Sequence, residues 1–212
     1  MNTLVLGDVH GCYYTFKKLL KDYFQPASQT MVQLGDLLNK GPHSAKCIEY
    51  CWHLERKHAG KVVFLRGNHE QAFIDSFRQD LLKKEHPKLL ANIKAEGIKP
   101  KVLYKWLLSK PLSVQLGSLL ISHAGISEAS KDPYRLNLPH NLLENRKPIQ
   151  KLSLTQVVGH QVLSDGKPLF KAKENTWYID TGAYLGQSLS ALQITDQGFK
   201  IHSVPTLAKD LA

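Results

Sequence analysis

The sequence predicts an α/β fold, a two-sheet αββα sandwich, on three observations: short β-rich runs recur along the chain, helical periods separate the first three of them, and the second half is mainly β. The runs are TLVLG before Asp8, MVQLG before Asp36, VVFLRG before Asn68, SLLIS before His123 and TQVVG before His160. Each ends in a polar cluster, so function is expected at the carboxyl ends of the strands, with loops of the two sheets meeting at one edge.

The first helix is expected over Tyr13 to Tyr23, from apolar positions Phe16, Leu19, Leu20 and Phe24. The second is expected over Ser44 to Lys57, opened by Gly41 and Pro42 and capped by Ser44. From about 71 to 110 the pattern is helical, with breaks at Pro87 and at Gly97 to Pro100 and a stop at Pro111. That segment reads as a lid or cap. Beyond Ser113, WYIDTG, SLSALQIT and FKIHSV read as strands, with turns at Asp165-Gly166 and Asp196-Gln197-Gly198. A chain of 212 residues fits one domain spanning 1–212, without internal repeats or an obvious linker.

With 42% hydrophobic and 22% charged residues the composition is that of a folded globular protein. A formal charge of +10 favours anionic partners. The lysines are scattered between 83 and 110 and between 147 and 173, without arginine runs or interleaved aromatics, so nucleic acid is not the expected partner. Three cysteines, Cys12, Cys47 and Cys51, are too few for a disulfide framework and read as reduced core residues. The opening MNTLVLGD lacks a basic leader and no apolar run reaches membrane-span length, so a cytoplasmic protein with no membrane partner is expected.

Chemistry enters at the strand ends. Asp8 and His10 alternate on an extended segment and project to the same side. Asp36, Asn68-His69, His123 and His160 follow four further strands, so carboxylate, amide and imidazole groups can converge. An oxygen and nitrogen donor set without thiolate suits manganese, iron, cobalt or zinc. Six donors exceed one four-coordinate site and fit two metals sharing a carboxylate; a pair about 3.5–4 Å apart clamps phosphoryl oxygens during in-line displacement. His43, His53, His58, His86, His140 and His202 carry no motif and are read as surface or core histidines.

The strings GDVHG at 7–11, GDLLNKGP at 35–42, LRGNHE at 65–70, HAG at 123–125 and GH at 159–160 resemble the calcineurin-like metallophosphoesterases, most closely their phosphoprotein phosphatase branch. The pattern runs in family order from Asp8 to about Thr195. RGNHEQAFID and the late WYIDTGA resemble the compact bacteriophage-type protein phosphatases, whereas GDLLNKGP is closer to the symmetrical diadenosine tetraphosphate hydrolases.

The resemblance implies that Asp8 and His10 bind one metal, Asp36 bridges, and Asn68, His123 and His160 bind the other, with manganese the first expectation. It implies that His69 protonates the leaving oxygen, that Arg66 and Asn68 grip phosphate, and that Arg146 in LLENRKPI does so too, although Glu144 stands where a tryptophan is usual. Asp180 fits either an acceptor orienting a metal-binding histidine or a plain strand-end turn.

Asn39-Lys40 departs from the usual Asp-Arg of the protein phosphatases. Asn39 can accept a hydrogen bond from His69 but supplies no charge to favour an imidazolium, and Lys40 lacks the bidentate fork of arginine. This departure favours anhydrides, while HAGISEAS lacks a motif common in the tetraphosphate hydrolases and their longer cap is missing. The first expectation is therefore a serine/threonine phosphatase acting on phosphomonoesters, with a phosphoprotein or small phosphate compound as substrate. The alternative is a symmetrical bis(5'-nucleosyl)-tetraphosphate hydrolase. A noncatalytic scaffold on the same fold is the third reading, and the presence of His69 weighs against it.

Overall fold

A computed structural model describes residues 2–211. Among these residues ten strands form two five-stranded sheets. The first contains β1 (Asn2–Leu6), β2 (Thr30–Gln33), β3 (Val62–Phe64), β9 (Ser188–Thr195) and β10 (Gly198–Pro205), in the order β10-β9-β1-β2-β3. Here β1, β2 and β3 are parallel, and β9 and β10 add an antiparallel hairpin. The second contains β4 (Ser113–Leu116), β5 (Leu119–Ser122), β6 (Thr155–Val158), β7 (Leu169–Lys171) and β8 (Thr176–Tyr178), in the order β4-β5-β6-β8-β7. Its centre, β5-β6-β8, is parallel, with antiparallel strands at both edges.

Strand alternation builds the layers. Val5, Val32, Leu34, Leu65, Leu192 and Ile194 point from the first sheet into one core with Leu119, Ile121 and Val157 of the second. Their neighbours Leu4, Leu6, Met31, Phe64 and Ala191 point the other way, into a core shared with the helices. A strand reading hydrophobic on both faces is what burial between two layers requires. The far face of the second sheet is covered by irregular chain rather than by helices, with Ile149 packed on Val158 and Tyr178.

Helices α1 (Tyr13–Tyr23) and α2 (Ser44–Lys57) span the expected residues, and α1 buries Phe16, Leu19 and Leu20. Ser44 does not cap α2. It is the first helical residue, and its hydroxyl accepts the Asn39 N–H at 3.1 Å, pinning the loop after β2. The segment expected to be helical contains α3 (Asn68–Arg78), α4 (Leu82–Glu85), α5 (Pro87–Ala95) and α6 (Pro100–Leu108). Proline stands at the start of α5 and α6, where its missing N–H costs nothing. Cys12, Cys47 and Cys51 are buried thiols, and burial pushes the Cys12 thiol up to about 12. Among the described residues no helix is long and apolar enough to cross a membrane.

Candidate metal centre and active site

The carboxyl ends of the parallel strands of both sheets converge, which is where ligands bind in open α/β sheets. Asp8 and His10 follow β1, Asp36 follows β2, Asn68 and His69 open α3 after β3, His123 follows β5 and His160 follows β6. The turns are tight. His10, Asp36, Asn39, Lys40 and His160 all adopt positive φ, between 45° and 67°. Non-glycine residues there are strained by about 1–3 kcal/mol each and persist only where surroundings over-determine them.

Backbone bonds and one buried acid do this. Val9 and His10 donate their N–H groups to Asp36 O at 3.1 and 2.8 Å, and Gly41 N donates to His10 O at 2.8 Å. Glu70, fully buried, accepts N–H groups from Asp36 (2.6 Å), Leu37 (2.9 Å), Leu38 (3.3 Å) and Gly67 (2.8 Å). One carboxylate thus ties the loop after β2 to the start of α3. The sequence reading passed over it, although a glutamate three residues into a helix is the signal of a capping box.

Asp36 stands at the centre. Its Oδ1 accepts the His69 N–H at 3.0 Å, and its Oδ2 lies 3.4 Å from His10 Nε2, 3.5 Å from His123 Nε2 and 4.0 Å from His69 Nε2. On one side His10, Asp36 and His69 present donor atoms within 4.8 Å of one another; on the other, Asp36, His123 and His160 do. Asn68 Oδ1 joins the second group, 3.0 Å from His123 Nε2 and 3.1 Å from His160 Nδ1. Asp8 stands behind. Its Oδ2 accepts the His160 N–H at 3.0 Å while Oδ1 is buried without a hydrogen bond. A Cβ on Gly159 would lie 2.0 Å from that Oδ1, so only glycine leaves it room.

The donor set fits metal ions. His10 and His123 each donate Nδ1–H to a backbone carbonyl, Leu38 O and Leu34 O, both at 3.0 Å. That fixes the tautomer and turns the Nε2 lone pair inward. His123 Nε2 and Asn68 Oδ1 are then two acceptors 3.0 Å apart, which repel unless a cation lies between them. Ligands about 2.1 Å from one metal are themselves about 3.0–3.4 Å apart, which matches this edge and the 3.2 Å from His160 Nδ1 to His123 Nε2. Charge agrees. Asp8, Asp36, Glu70 and Asp180 are all buried, and their carboxyls are raised, first by desolvation and then, for Asp8 and Asp36, by neighbouring acids. Burial also lowers His10 to about 3 and His69 and His160 to about 4. Neutral imidazoles beside uncompensated carboxylates are the composition of a cation site.

Beyond Asn68 and His69 a cleft of about 890 Å³ opens, walled by Asn39 and Lys40 on one side and by the α4–α5 corner, with Tyr184 and Leu211 also bordering it. The Asn39 amide meets His69 Nδ1 at 3.0 Å, with Nδ2 as the facing atom rather than the expected oxygen. Asp180 does not orient a histidine. Its Oδ1 accepts the Gly182 N–H at 3.1 Å, and its charge raises Asp8.

Arg66 points elsewhere than the cleft. Its guanidinium donates to Gln71 Oε1 (3.0 Å), Leu108 O (2.7 Å) and Lys110 O (3.2 Å), fastening the end of α6 to α3. Arg146 lies close enough to His160 and Tyr184 to act on both electrostatically. Two contributors were not legible beforehand. His86 borders the cleft, and Asp210 accepts the Tyr14 and Thr15 N–H groups, closing the start of α1 beside it.

Known proteins share parts of this sequence and its fold. Symmetrical bis(5'-nucleosyl)-tetraphosphatase of Photorhabdus laumondii is 33% identical over 131 residues, 60% of this chain and 45% of that protein. The serine/threonine-protein phosphatase 2B catalytic subunit A1 of Saccharomyces cerevisiae is 35% identical over 83 residues, 38% of this chain and 15% of that protein. The chain thus spans less than half the length of these relatives. The solved structure of a putative diadenosine tetraphosphatase superposes with a TM-score of 0.72 at 21% identity, covering 98% of this chain and 94% of that one. That of a serine/threonine phosphatase from Saccharomyces cerevisiae gives 0.69 at 17% identity, covering 98% and 80%. The profile of the calcineurin-like phosphoesterases matches residues 1–185, and with the converging histidines, carboxylates and amide at the strand ends, this places the chain in the calcineurin-like phosphoesterase family.

Proposed function

We propose that the protein is a dinuclear-metal phosphohydrolase whose preferred bond is a phosphoric anhydride of the dinucleoside tetraphosphate kind. In this reading Asp8, His10 and Asp36 hold one divalent ion, and Asp36, Asn68, His123 and His160 hold the other, with manganese the first candidate and iron, zinc or cobalt suited to the same donors. When bound, the ions would supply Lewis-acid charge to the phosphoryl oxygens and the attacking water.

The observation that carries the choice of bond is the contact of Asn39 with His69. With Nδ2 donating, Nδ1 of His69 is an acceptor and the ring proton sits on Nε2. With the amide turned over, the oxygen accepts from Nδ1–H; neither arrangement brings a negative charge to the ring. Burial first, then Lys40 and His86, hold His69 at about 4, so at neutral pH it is a neutral hydrogen-bond donor and a weak acid. A serine alkoxide needs a full proton to depart, whereas a nucleoside diphosphate needs little more than a hydrogen bond. This reverses the order of substrates expected from chain length and from RGNHEQAFID, and the names of the tetraphosphatase relatives support the reversal.

The remaining residues take supporting roles. Asn68 turns Oδ1 toward the histidines and so leaves its Nδ2–H groups for a phosphoryl oxygen, Lys40 supplies charge at the cleft wall, and Arg146 meets phosphate from the His160 side. Arg66 acts as a strut between α3 and α6. The chain works as one domain whose 71–110 segment walls the cleft, in a cytoplasmic setting that keeps its thiols reduced.

The test is a side-by-side assay of diadenosine tetraphosphate, a phosphoserine peptide and nitrophenyl phosphate with manganese. The expected result is the highest kcat/KM on the tetraphosphate, with ADP as its nucleotide product. Faster turnover of the phosphopeptide would overturn the reading.

A further inference from the structure

We propose that the cleft beyond His69 is the leaving-group pocket and that His86 is a specificity-determining residue in it, shaped for a nucleotide. This rests on the role of His69 given above, because the residue that meets the departing oxygen fixes the side on which the departing group lies. His69 turns Nε2 toward Asp36, and the cleft is lined by His69, Asn68 and the α4–α5 corner but by none of Asp8, His10, Asp36, His123 or His160. The phosphoryl group therefore belongs over the buried donors, and whatever leaves must enter the cleft.

The cleft is built rather than incidental. His69, Phe73 and Ser76 recur at helical spacing on one face of α3. Ser76 Oγ, buried, faces two acceptors, the Glu85 carboxylate and Ala72 O at 2.8 Å, that share its one proton, so at 3.1 Å it accepts from His86 Nε2–H, and Phe73 lies 6.2 Å from the His86 ring. The imidazole is thus fixed through Nε2, while Nδ1 makes no hydrogen bond among the described residues and the side chain borders the cleft. Seven residues of helix separate His69 from Ser76, a rise of about 10 Å. That distance lies past the side chain of a departing serine and within the span of phosphate, ribose and base.

The chemistry of the walls agrees with such a group. Lys40 and Lys88 bring two cations to the cleft, suited to the phosphates of a nucleoside diphosphate, while the two carboxylates of the lining are engaged elsewhere, Glu85 by Ser76 and Asp210 by the Tyr14 and Thr15 N–H groups. Asn92 uses Oδ1 to accept the Ala45 N–H at 2.9 Å, which leaves its amide protons for a ligand. A volume of about 890 Å³ lies in the range of small-molecule sites. His86 offers both a flat ring for stacking and Nδ1 for a hydrogen bond to the nucleoside.

The experiment reads inhibition of nitrophenyl phosphate turnover by ADP and, separately, by inorganic phosphate, in the manganese-loaded wild type, His86→Ala and Lys88→Ala. Each constant is taken relative to that variant's own turnover. ADP is expected to inhibit the wild type about tenfold or more better than phosphate, and His86→Ala to lose about tenfold of that advantage, the size of one pocket contact. Lys88→Ala, an exposed position that folding tolerates, is expected to lose about threefold, less at high salt. ADP no better than phosphate in the wild type, or equal weakening of both by His86→Ala, would overturn the proposal. So would a phosphoserine peptide that competes better than ADP. If ADP discrimination holds while diadenosine tetraphosphate is not cleaved, the anhydride reading fails and the pocket stands.

Discussion

The side-chain amide of Asn39 stands 3.0 Å from Nδ1 of His69, while Nε2 of the same ring faces Asp36 Oδ2 at 4.0 Å. Burial first, then Lys40 and His86, keep positive charge off the ring, and the neutral amide of Asn39 brings no charge to oppose them. Asn39→Asp places a carboxylate against Nδ1, favours the imidazolium and raises the histidine from about 4. The expected outcome is a gain in kcat on phosphoserine peptides of about tenfold, with a smaller change on diadenosine tetraphosphate. Paired kinetics on the two substrates check this, and a larger gain on the tetraphosphate would contradict it.

Metal content should follow the geometry of Asp36, whose Oδ2 is shared between the His10 and His123 sides. Asp36→Asn is expected to deplete both ions, and His123→Ala or His160→Ala chiefly one. Elemental analysis of the purified variants reads this directly. Wild-type protein treated with chelator should lose activity and regain it with manganese; full activity without metal would remove the dinuclear reading.

Glu70 holds four N–H groups in a fully buried position. Glu70→Ala leaves them unpaired away from water, at a cost of about 3 kcal/mol or more. Thermal unfolding should show a large fall in Tm, and metal affinity should fall with it because Asp36 loses its anchor. A variant as stable as wild type would show that water replaces the carboxylate at this site.

In the metal-free protein the buried histidines and the buried carboxyls answer acid with opposite signs. The folded values of His10, His69 and His160 lie at about 3 to 4, below their ordinary range, because burial opposes the charged ring. The unfolded chain takes up their protons near pH 6.5 and the folded one does not, so the histidine contribution to stability is held above pH 6.5 and lost as pH falls from there toward 4. The carboxyls of Asp8, Asp36, Glu70 and Asp180 are raised, so the folded state takes up their protons first and gains stability as pH falls. His69→Gln isolates the histidine sign: the Tm difference between chelated variant and chelated wild type is expected to shift in the variant's favour as pH falls from 6.5 to 4, and an unchanged difference would contradict it.

The strands and helices were legible because their patterns are local. Alternating or continuous apolar runs ending in GD, GN or GH mark strands that are buried and then turn, and the limits of α1 and α2 follow from a 3.6-residue period. The strand-end positions of Asp8, His10, Asp36, Asn68, His123 and His160 were equally legible, since they follow five strands, Asp8 and His10 sharing the first. Their convergence depends on both sheets presenting the carboxyl ends of their parallel strands to one edge.

What the sequence by itself determined is the fold class and the stock of donor groups. Tertiary structure decided which atom meets which. Arg66 sits in a motif beside Asn68, yet its guanidinium is spent on the carbonyls of Leu108 and Lys110, some forty residues away. Asp180, which the sequence left open between a histidine partner and a turn, serves the turn at Gly182. His86, motif-free, reaches the cleft because Ser76 and Phe73 of another helix hold its ring. The Asp180 bond is local, two residues long, but those of Arg66 and His86 join separate elements, set by packing and by the need of buried polar groups for partners, and no local pattern encodes them.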